Sequence, residues 1–185
     1  MKKTLIFICL LFLANSAIAQ TTAPTFGVGA NVGMIYPIVQ DDQDNGSIFG
    51  LKAIYSLGGI TVEPNLSFVK YGDPTTSDAD LIGLYDGFEG SKITSFGVDG
   101  LLGGGSGAGI HPYFLFGVSF YKTKRDMTQQ DDTDLGFAGG LGLEIGVGTT
   151  LSLDARGKLH VIPIDGGGSK KAASATAGIN FYFGK

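Results

Sequence analysis

The chain has 185 residues, of which 31 are glycine, and carries a formal net charge of −4. This length fits a single domain, and the acidic balance argues against a nucleic-acid partner, because such a partner selects for a basic face. The 13 phenylalanines and 7 tyrosines argue against the disorder that so much glycine otherwise suggests.

The amino-terminal segment has the three parts of a secretory signal peptide. Two lysines follow the first methionine, an apolar run covers residues 5–14, and Ala17 and Ala19 are the small residues before the cleavage point. The apolar run is too short for a membrane helix, which needs about 20 residues. We therefore predict a cleaved signal over residues 1–19 and a mature domain over residues 20–185. Cleavage removes the only cysteine and two of the 13 basic residues, so the formal charge becomes −6.

The rest of the chain alternates apolar with polar or glycine residues, which is the period of a β-strand. The first alternating segment is the clearest, with Phe26, Val28 and Tyr36 on one face and Gly27 and Asn31 on the other. Eight such segments follow one another, over residues 26–36, 48–55, 60–70, 95–102, 110–121, 137–145, 151–161 and 173–183. The pattern predicts an all-β, antiparallel fold.

The seven predicted connections alternate between long and short. The long, polar connections cover residues 37–47, 72–92, 122–135 and 163–171. The short, glycine-rich connections cover residues 57–59, 103–107 and 146–149. Tight periplasmic turns opposite longer outer loops are typical of an outer-membrane barrel, so we predict eight transmembrane strands with both termini in the periplasm. The apolar side chains at residues 81–88 would form a strand extension or a partner-binding surface.

The positions of the charges distinguish a membrane barrel from a water-soluble one. Thirteen of the 17 acidic residues fall in the four long connections, and the other four lie on the polar faces of strands. A lysine or arginine on the lipid face near the midplane costs about 2–4 kcal/mol. We therefore expect the apolar faces to contact lipid and the polar faces to line the interior, whereas a water-soluble barrel would show the reverse.

The interior of an eight-stranded barrel is only wide enough to be filled by side chains. Nearly balanced charges on the polar faces therefore predict an ion-pair network that plugs the interior, with room made by the glycines on the same faces. Counting outward from the turn at residues 103–107 places Asp99 about opposite His111. The predicted network consists of Lys52, Glu63, Asp99, His111, Glu144, Asp154, Arg156 and Lys158.

The last predicted strand has the most specific local motif, with glycine at Gly178 and aromatic residues at Phe181 and Phe183. In this motif and in its whole layout, the chain resembles the small outer-membrane β-barrel family that includes the OmpA transmembrane domain, OmpX and opacity-type surface proteins. The resemblance implies that the barrel-assembly machinery reads these three residues, and that the partners include outer-membrane lipids and lipopolysaccharide. Two residues follow Phe183, whereas many family members end on the aromatic residue.

Two functional classes remain open. The first is a structural or surface-interaction role, with a plugged interior and an extracellular partner bound through the loops at residues 37–47 and 72–92. The second is a narrow, porin-like channel for small solutes that threads between the ion pairs. The amino-acid sequence predicts no cofactor and no defined metal site, and it leaves open whether the acidic loops bind divalent cations loosely.

A lipid A-modifying enzyme is a more remote alternative. Barrels of this kind that modify lipid A need a histidine at the lipid side or the outer rim, with a serine within hydrogen-bond reach. The chain has two histidines, His111 and His160, and both face the interior in the predicted register. The position two residues after His160 holds Ile162 rather than serine. We therefore predict that the protein is not an enzyme.

Overall fold

The computed structural model describes residues 25–38, 44–72, 91–104, 108–125, 130–163 and 168–183. Within these ranges the chain forms a closed antiparallel barrel in which each of eight strands pairs with the next and the last pairs with the first. Across the same ranges, no helix has the length and apolar character that a membrane span requires. The barrel confirms the predicted fold class. The predicted signal peptide lies outside the described residues and stays a prediction.

Each of the eight strands contains one of the predicted alternating segments. They are β1 (Thr25–Pro37), β2 (Gly46–Ser56), β3 (Ile60–Lys70), β4 (Lys92–Gly103), β5 (Gly109–Arg125), β6 (Gln130–Gly146), β7 (Leu151–Pro163) and β8 (Ser169–Phe183). Successive side chains of a strand point to opposite faces of the sheet. The alternating polar and apolar residues are therefore separated into an inner and an outer surface.

The outer surface is apolar over the height of a bilayer core. On β5 the outward positions from Ile110 to Phe120 are all apolar, and these two side chains are 67% and 57% exposed. At about 3.4 Å per residue and a strand tilt of about 40°, this stretch covers roughly 25 Å along the barrel axis. We call the outward apolar surface the apolar band, and its height matches that of outer-membrane barrels.

Two of the predicted long connections are wrong, because the strands continue past the apolar band. Strands β5 and β6 stay paired as far as Arg125 and Gln130, so residues 126–129 connect them rather than residues 122–135. Strands β7 and β8 stay paired as far as Pro163 and Ser169, so residues 164–168 replace residues 163–171. Backbone hydrogen bonds hold these extensions together and require no apolar side chains, which is why composition alone suggested loops.

The barrel therefore has two different ends. At one end, which we call the loop end, β1 connects to β2 through residues 38–45 and β3 to β4 through residues 71–91. At the other end, the turn end, the connections are residues 57–59, 104–108 and 147–150. Glycines with positive φ, such as Gly58 at 87° and Gly148 at 93°, permit these short turns.

The barrel interior contains a layer of apolar side chains near the loop end. We call it the apolar cluster, and its buried members are Ile35, Ile48, Val69, Tyr71, Ile93, Tyr121, Ile162 and Ala172. Burial raises the pKa of Tyr71 to about 12. The alternating pattern does not predict this layer, because it assigns only polar residues and glycine to the inward faces. Charged and polar side chains fill the interior between the apolar cluster and the turn end, together with a second, smaller apolar group of Leu101, Tyr113 and Leu115.

Candidate functional site

The centre of the interior is organised by one arginine. Asp154, Arg156 and Lys158 occupy alternate positions on β7, so all three face inward. The Arg156 guanidinium crosses the interior to β3, where its Nη1 lies 2.8 Å from Oε2 of Glu63. Its Nη2 and Nε lie 2.5 and 2.9 Å from Oδ2 of Asp154. Arg156 is only 7% exposed and pairs with carboxylates from two strands.

A lysine from a third strand completes this group. Lys52 on β2 is 5% exposed, and its Nζ lies 2.8 Å from Oδ2 of Asp154 and 3.3 Å from Oε1 of Glu63. Two cations thus share two carboxylates inside the barrel. Removing one partner of a buried ion pair typically costs about 3–5 kcal/mol, because the remaining charge stays desolvated. The group therefore ties β2, β3 and β7 together.

A second group surrounds Asp99 on β4. Asp99 is the cross-strand partner of Glu63, and two carboxylates so placed repel each other. The ammonium of Lys158 donates a hydrogen bond to Oδ2 of Asp99, and Nη1 of Arg156 lies 4.0 Å from the same oxygen. Cations on β7 therefore separate the two acidic residues, and the charged network extends from β2 to β4.

Tyr113 also belongs to the network, although it is not among the residues predicted from the sequence. Its hydroxyl donates a 2.5 Å hydrogen bond to Oδ1 of Asp154, and its ring centroid lies 5.5 Å from Cζ of Arg156, a cation–π distance. Tyr113 pairs with Gly142 on β6, where an added Cβ would lie 2.3 Å from the tyrosine hydroxyl. The sequence feature that indicates this contact is an inward-facing tyrosine opposite a glycine of the next strand.

Glu144 lies apart from the arginine, nearer the turn end. Its Oε1 accepts hydrogen bonds from the hydroxyls of Ser152 and Tyr182 and a 3.2 Å hydrogen bond from Nδ2 of Asn180. Among the described residues, the hydrogen-bond donors to this carboxylate are thus uncharged groups of β7 and β8. The sequence pattern predicts Glu144 in the ion-pair network, whereas its observed hydrogen bonds belong to a separate polar cluster.

The predicted pairing of Asp99 with His111 is wrong. Across the β4–β5 ladder Asp99 pairs with Gly117, and His111 pairs with Glu144 on the other side, across the β5–β6 ladder. The first residues of β5 extend past the end of β4 and pair only with β6, which shifts the register from the one counted outward from the turn. Within the described ranges, Nε2 of His111 has no hydrogen-bond partner.

The second histidine contacts two hydroxyl groups. The Nδ1 of His160 lies 3.0 Å from the Tyr121 hydroxyl, and its Nε2 lies 2.9 Å from Oγ of Ser174 on β8. Residue spacing along one strand does not predict this contact, because Ser174 belongs to the neighbouring strand. A serine beside a histidine is the start of a catalytic arrangement, but here a phenol takes the place of the usual carboxylate. All three side chains are buried inside the barrel.

A small cavity separates the charged network from the apolar cluster. Its volume is about 40 Å³, and its lining includes Arg156, Lys158 and His160 on one side and Ile48 and Tyr121 on the other. This space suits a few ordered water molecules. Across the described ranges, no group of three or more His, Cys, Asp or Glu side chains is arranged to hold a metal ion.

The residues of the carboxyl-terminal motif lie where the barrel closes. Phe181 and Phe183 pair with Val28 and Phe26 of β1, and both rings point outward, with 45% and 49% of their surface exposed. Gly178 faces inward, where an added Cβ would lie 2.4 Å from the carbonyl oxygen of Ala30. The motif is therefore on the strand that forms the closing seam. Most of the predicted partner-binding loops, by contrast, lie outside the described residues.

Comparison with known proteins gives one family and a set of structural neighbours. The family described as outer membrane protein beta-barrel domain matches residues 5–183. No curated protein matches the chain. The crystal structure of Neisserial surface protein A superimposes with a TM-score of 0.68 at 16% identity, covering 88% of this chain and 100% of that one.

Two further solved structures have the same fold. The N-terminal β-barrel domain of Pseudomonas aeruginosa OprF matches with a TM-score of 0.52 and 17% identity, over 85% of this chain and 97% of that one. Ail of Yersinia pestis, solved with the heparin analogue sucrose octasulfate, matches with a TM-score of 0.53 and 15% identity, over 86% and 97%. At these identities the similarity shows the fold alone.

Proposed function

Because the chain belongs to the outer membrane protein β-barrel domain family, we propose that it is a closed barrel of the outer membrane with a structural or surface-interaction role. Family membership makes it an integral outer-membrane protein. The finer role rests on the interior, where the charged network and the apolar cluster follow one another along the barrel axis. A barrel filled in this way supports envelope integrity, adhesion or loop-mediated binding rather than transport or catalysis.

The observation that carries the proposal is the contact of Arg156 with Glu63. It joins β7 to β3 across the interior at 2.8 Å, and Lys52 fills the space beside it with 5% of its surface exposed. An ion that passed this layer would still have to cross the apolar cluster, and apolar constrictions block conduction by excluding water. The two layers therefore block the interior independently of each other.

We place the loop end outside the cell and both chain termini in the periplasm. The connection over residues 71–91 and the extended β5–β6 hairpin lie at the loop end, opposite the short turns. Outer-membrane barrels keep short turns on the periplasmic side and longer loops outside. The predicted signal peptide over residues 1–19 agrees with this orientation, since it would deliver the mature chain to the periplasm.

The proposed partners follow from this orientation. The barrel-assembly machinery would read Gly178, Phe181 and Phe183, and lipopolysaccharide and other outer-membrane lipids would surround the apolar band. An extracellular partner would bind the loops at residues 37–47 and 72–92, which contain eight of the 17 acidic residues. Ail was solved with a polyanion, but acidic loops repel polyanions. We therefore expect a basic or neutral partner here.

Conductance in a planar bilayer tests the closed interior. We expect no openings from the purified protein, and none from Arg156→Ala, because the apolar cluster remains intact. Adding Ile48→Ala and Ile93→Ala to Arg156→Ala removes side chains from both layers and should produce discrete openings. Altered gel mobility before and after boiling checks that each variant is folded.

A narrow channel is the second candidate function. The 40 Å³ cavity beside Arg156 favours this candidate, because part of the barrel interior is already empty there. Discrete openings of the unmodified protein, changed in size by Arg156→Ala alone, would establish the channel and overturn the closed-barrel proposal.

We also propose that the contact between His160 and Ser174 is structural rather than catalytic. Both side chains are buried between the network and the apolar cluster, where a lipid substrate has no access. Unchanged lipid A masses in cells with and without the protein would agree with this assignment, whereas a new lipid A species that disappears with Ser174→Ala would contradict it.

A further inference from the structure

The pairing of β2 with β3 is interrupted within the apolar band. Lys52 pairs with Asn65 on one side of the interruption. Tyr55 pairs with Val62 on the other side at the same offset, but the two positions between them are not paired. Within the described residues, each of the other seven strand ladders runs without an internal gap. The gap is therefore a local feature of one place in the barrel wall.

A proline explains the gap. The backbone N–H of Leu57 donates a 2.8 Å hydrogen bond to the carbonyl of Ile60 across the same ladder. Hydrogen-bonded and non-hydrogen-bonded pairs alternate along an antiparallel ladder, so counting in steps of two makes Ala53 and Pro64 a hydrogen-bonded position. Proline has no backbone N–H. The carbonyl of Ala53 therefore lacks the donor that the ladder would otherwise supply.

The gap lies where water does not reach it. Pro64 faces outward on β3, with the apolar side chains of Val62 and Leu66 at the next outward positions toward the turn end and the loop end. On the interior side, Ile54 is only 1% exposed. A backbone carbonyl without a donor is costly in the hydrocarbon core, because no water is available there. A molecule from the membrane that brings a donor would remove this cost.

An apolar groove lies on the outer surface at the gap. Its lining includes Ala53, Pro64, Leu66, Phe96 and Phe181, and we call it the proline groove. Its volume of about 630 Å³ lies within the range of roughly 300–1,000 Å³ that is usual for small-molecule pockets. The side chain of Ala53 has a single carbon, so the groove extends close to the backbone at the gap.

A second outward proline shows that the position matters more than the residue type. The N–H of Gly104 donates a 3.2 Å hydrogen bond to the carbonyl of Pro112 on β5, so the nitrogen of Pro112 also faces Gly104. This position is at the turn end, where water can replace the missing donor. The ladder between β5 and β6 remains complete at Pro112. The missing donor of Pro64, by contrast, lies inside the apolar band and beside a groove.

We propose that the proline groove binds an uncharged apolar molecule with a single hydroxyl or N–H donor, of which an alkylphenol is an example. The donor binds the carbonyl of Ala53, and the apolar part lies against Leu66 and the rings of Phe96 and Phe181. Charged molecules are excluded, because a charge at this depth is costly. This inference goes beyond the proposed structural role and requires neither the closed interior nor the proposed orientation.

Binding of para-octylphenol tests the site. The protein is purified from outer membranes, placed in lipid nanodiscs and compared with empty nanodiscs by equilibrium dialysis. The second probe is the methyl ether of the same phenol, which has the same apolar part but no hydrogen-bond donor. After partitioning into empty nanodiscs is subtracted, we expect the phenol to bind about five-fold more tightly than the ether, because one hydrogen bond forms in apolar surroundings.

Pro64→Ala returns an N–H to the ladder opposite the carbonyl of Ala53. The ratio of the phenol affinity to the ether affinity should then fall from about five to about one. A change in the shape of the groove affects both probes, so the ratio reports on the hydrogen bond. Pro112→Ala is the matched control, with the same substitution at the turn end, and should leave the ratio unchanged. Gel mobility checks that each variant is folded.

A second variant tests the location of the bound molecule. Ala53→Leu places a larger side chain in the groove, so saturable binding of both probes should be lost. Unchanged binding in this variant would place the molecule elsewhere on the barrel and overturn the proposal. Equal affinities of the two probes for the unmodified protein, or a ratio that Pro64→Ala leaves at about five, would also overturn it. Conductance of the unmodified barrel would contradict the closed-barrel proposal without changing these affinities.

Discussion

Arg156 is the residue on which most interior contacts converge. Its guanidinium pairs with Glu63 and Asp154 and lies above the ring of Tyr113. Arginine suits this position because its planar group donates hydrogen bonds in several fixed directions. A lysine at the same position would supply one point charge and could not bridge both carboxylates with the same geometry.

Replacing this arginine tests how much the network stabilises the barrel. We expect Arg156→Ala to lower the free energy of unfolding by about 3–5 kcal/mol, because Glu63 and Asp154 remain buried with less compensation. The measurement is urea unfolding in lipid vesicles followed by circular dichroism, since the chain contains no tryptophan. Lys158→Gln is the matched control. The Lys158 side chain is 15% exposed, so its loss should cost less. Equal midpoints for Arg156→Ala and the unmodified protein would contradict a stabilising network.

At the scale of elements, the closing seam between β1 and β8 depends on close approach of the backbones. Gly178 pairs with Asn31, and an added Cβ would lie 2.4 Å from the backbone oxygen of Ala30. Non-bonded atoms do not approach so closely without a shift of one strand. Close packing at the seam thus requires glycine at this position of the carboxyl-terminal motif, independently of its proposed recognition by the barrel-assembly machinery.

Gly178→Val should therefore impair closure of the barrel. We expect most of this variant to lose the difference in gel mobility between unboiled and boiled samples, because β8 cannot seat fully against β1. Gly139→Val is the control, since Gly139 is an exposed strand glycine with open space around its Cβ position. If both variants refold to the same yield, close approach at the seam is not what requires glycine.

The other feature at the scale of elements is that two strands extend beyond the length of a membrane span. Strands β5 and β6 each have 17 residues, more than the 9–11 that a membrane span needs. Lys122 and Lys124 belong to this extension, which places them at the rim instead of in a loop. The extended strand holds these side chains at fixed positions, with Lys124 as the cross-strand partner of Lys92.

At the scale of the whole molecule, the difference between the two ends sets the orientation in the membrane. A cysteine introduced at exposed Asn45 at the loop end should react with a membrane-impermeant maleimide added to intact cells. Val147→Cys is the matched variant at the turn end, and its exposed side chain should react only after the outer membrane is opened. The chain's single cysteine lies in the predicted signal peptide, so background labelling is low. Reversed labelling of the two positions would contradict the proposed orientation.

Local patterns predicted much of this architecture, because a strand with one lipid face and one interior face alternates at every position. Phe26, Val28 and Gly27 already reveal the faces of β1 without any knowledge of its neighbours. The same alternation assigned Lys52, Glu63, Arg156 and Lys158 to the interior, where their contacts are observed. Interactions that depend on which strands are adjacent, and at what offset, were much harder to predict.

The amino-acid sequence by itself thus determined the strands, their faces and the charges inside, since all of these follow from residues close together in the chain. Only the tertiary structure decided which partners meet. Asp99 pairs with Lys158 rather than His111, because a register depends on where two strands stop pairing and not on the turn alone. The contact of Ser174 with His160 and the row of Lys70, Lys92 and Lys124 likewise join separate strands. Closure of the sheet brings these residues together, and no local pattern encodes that step.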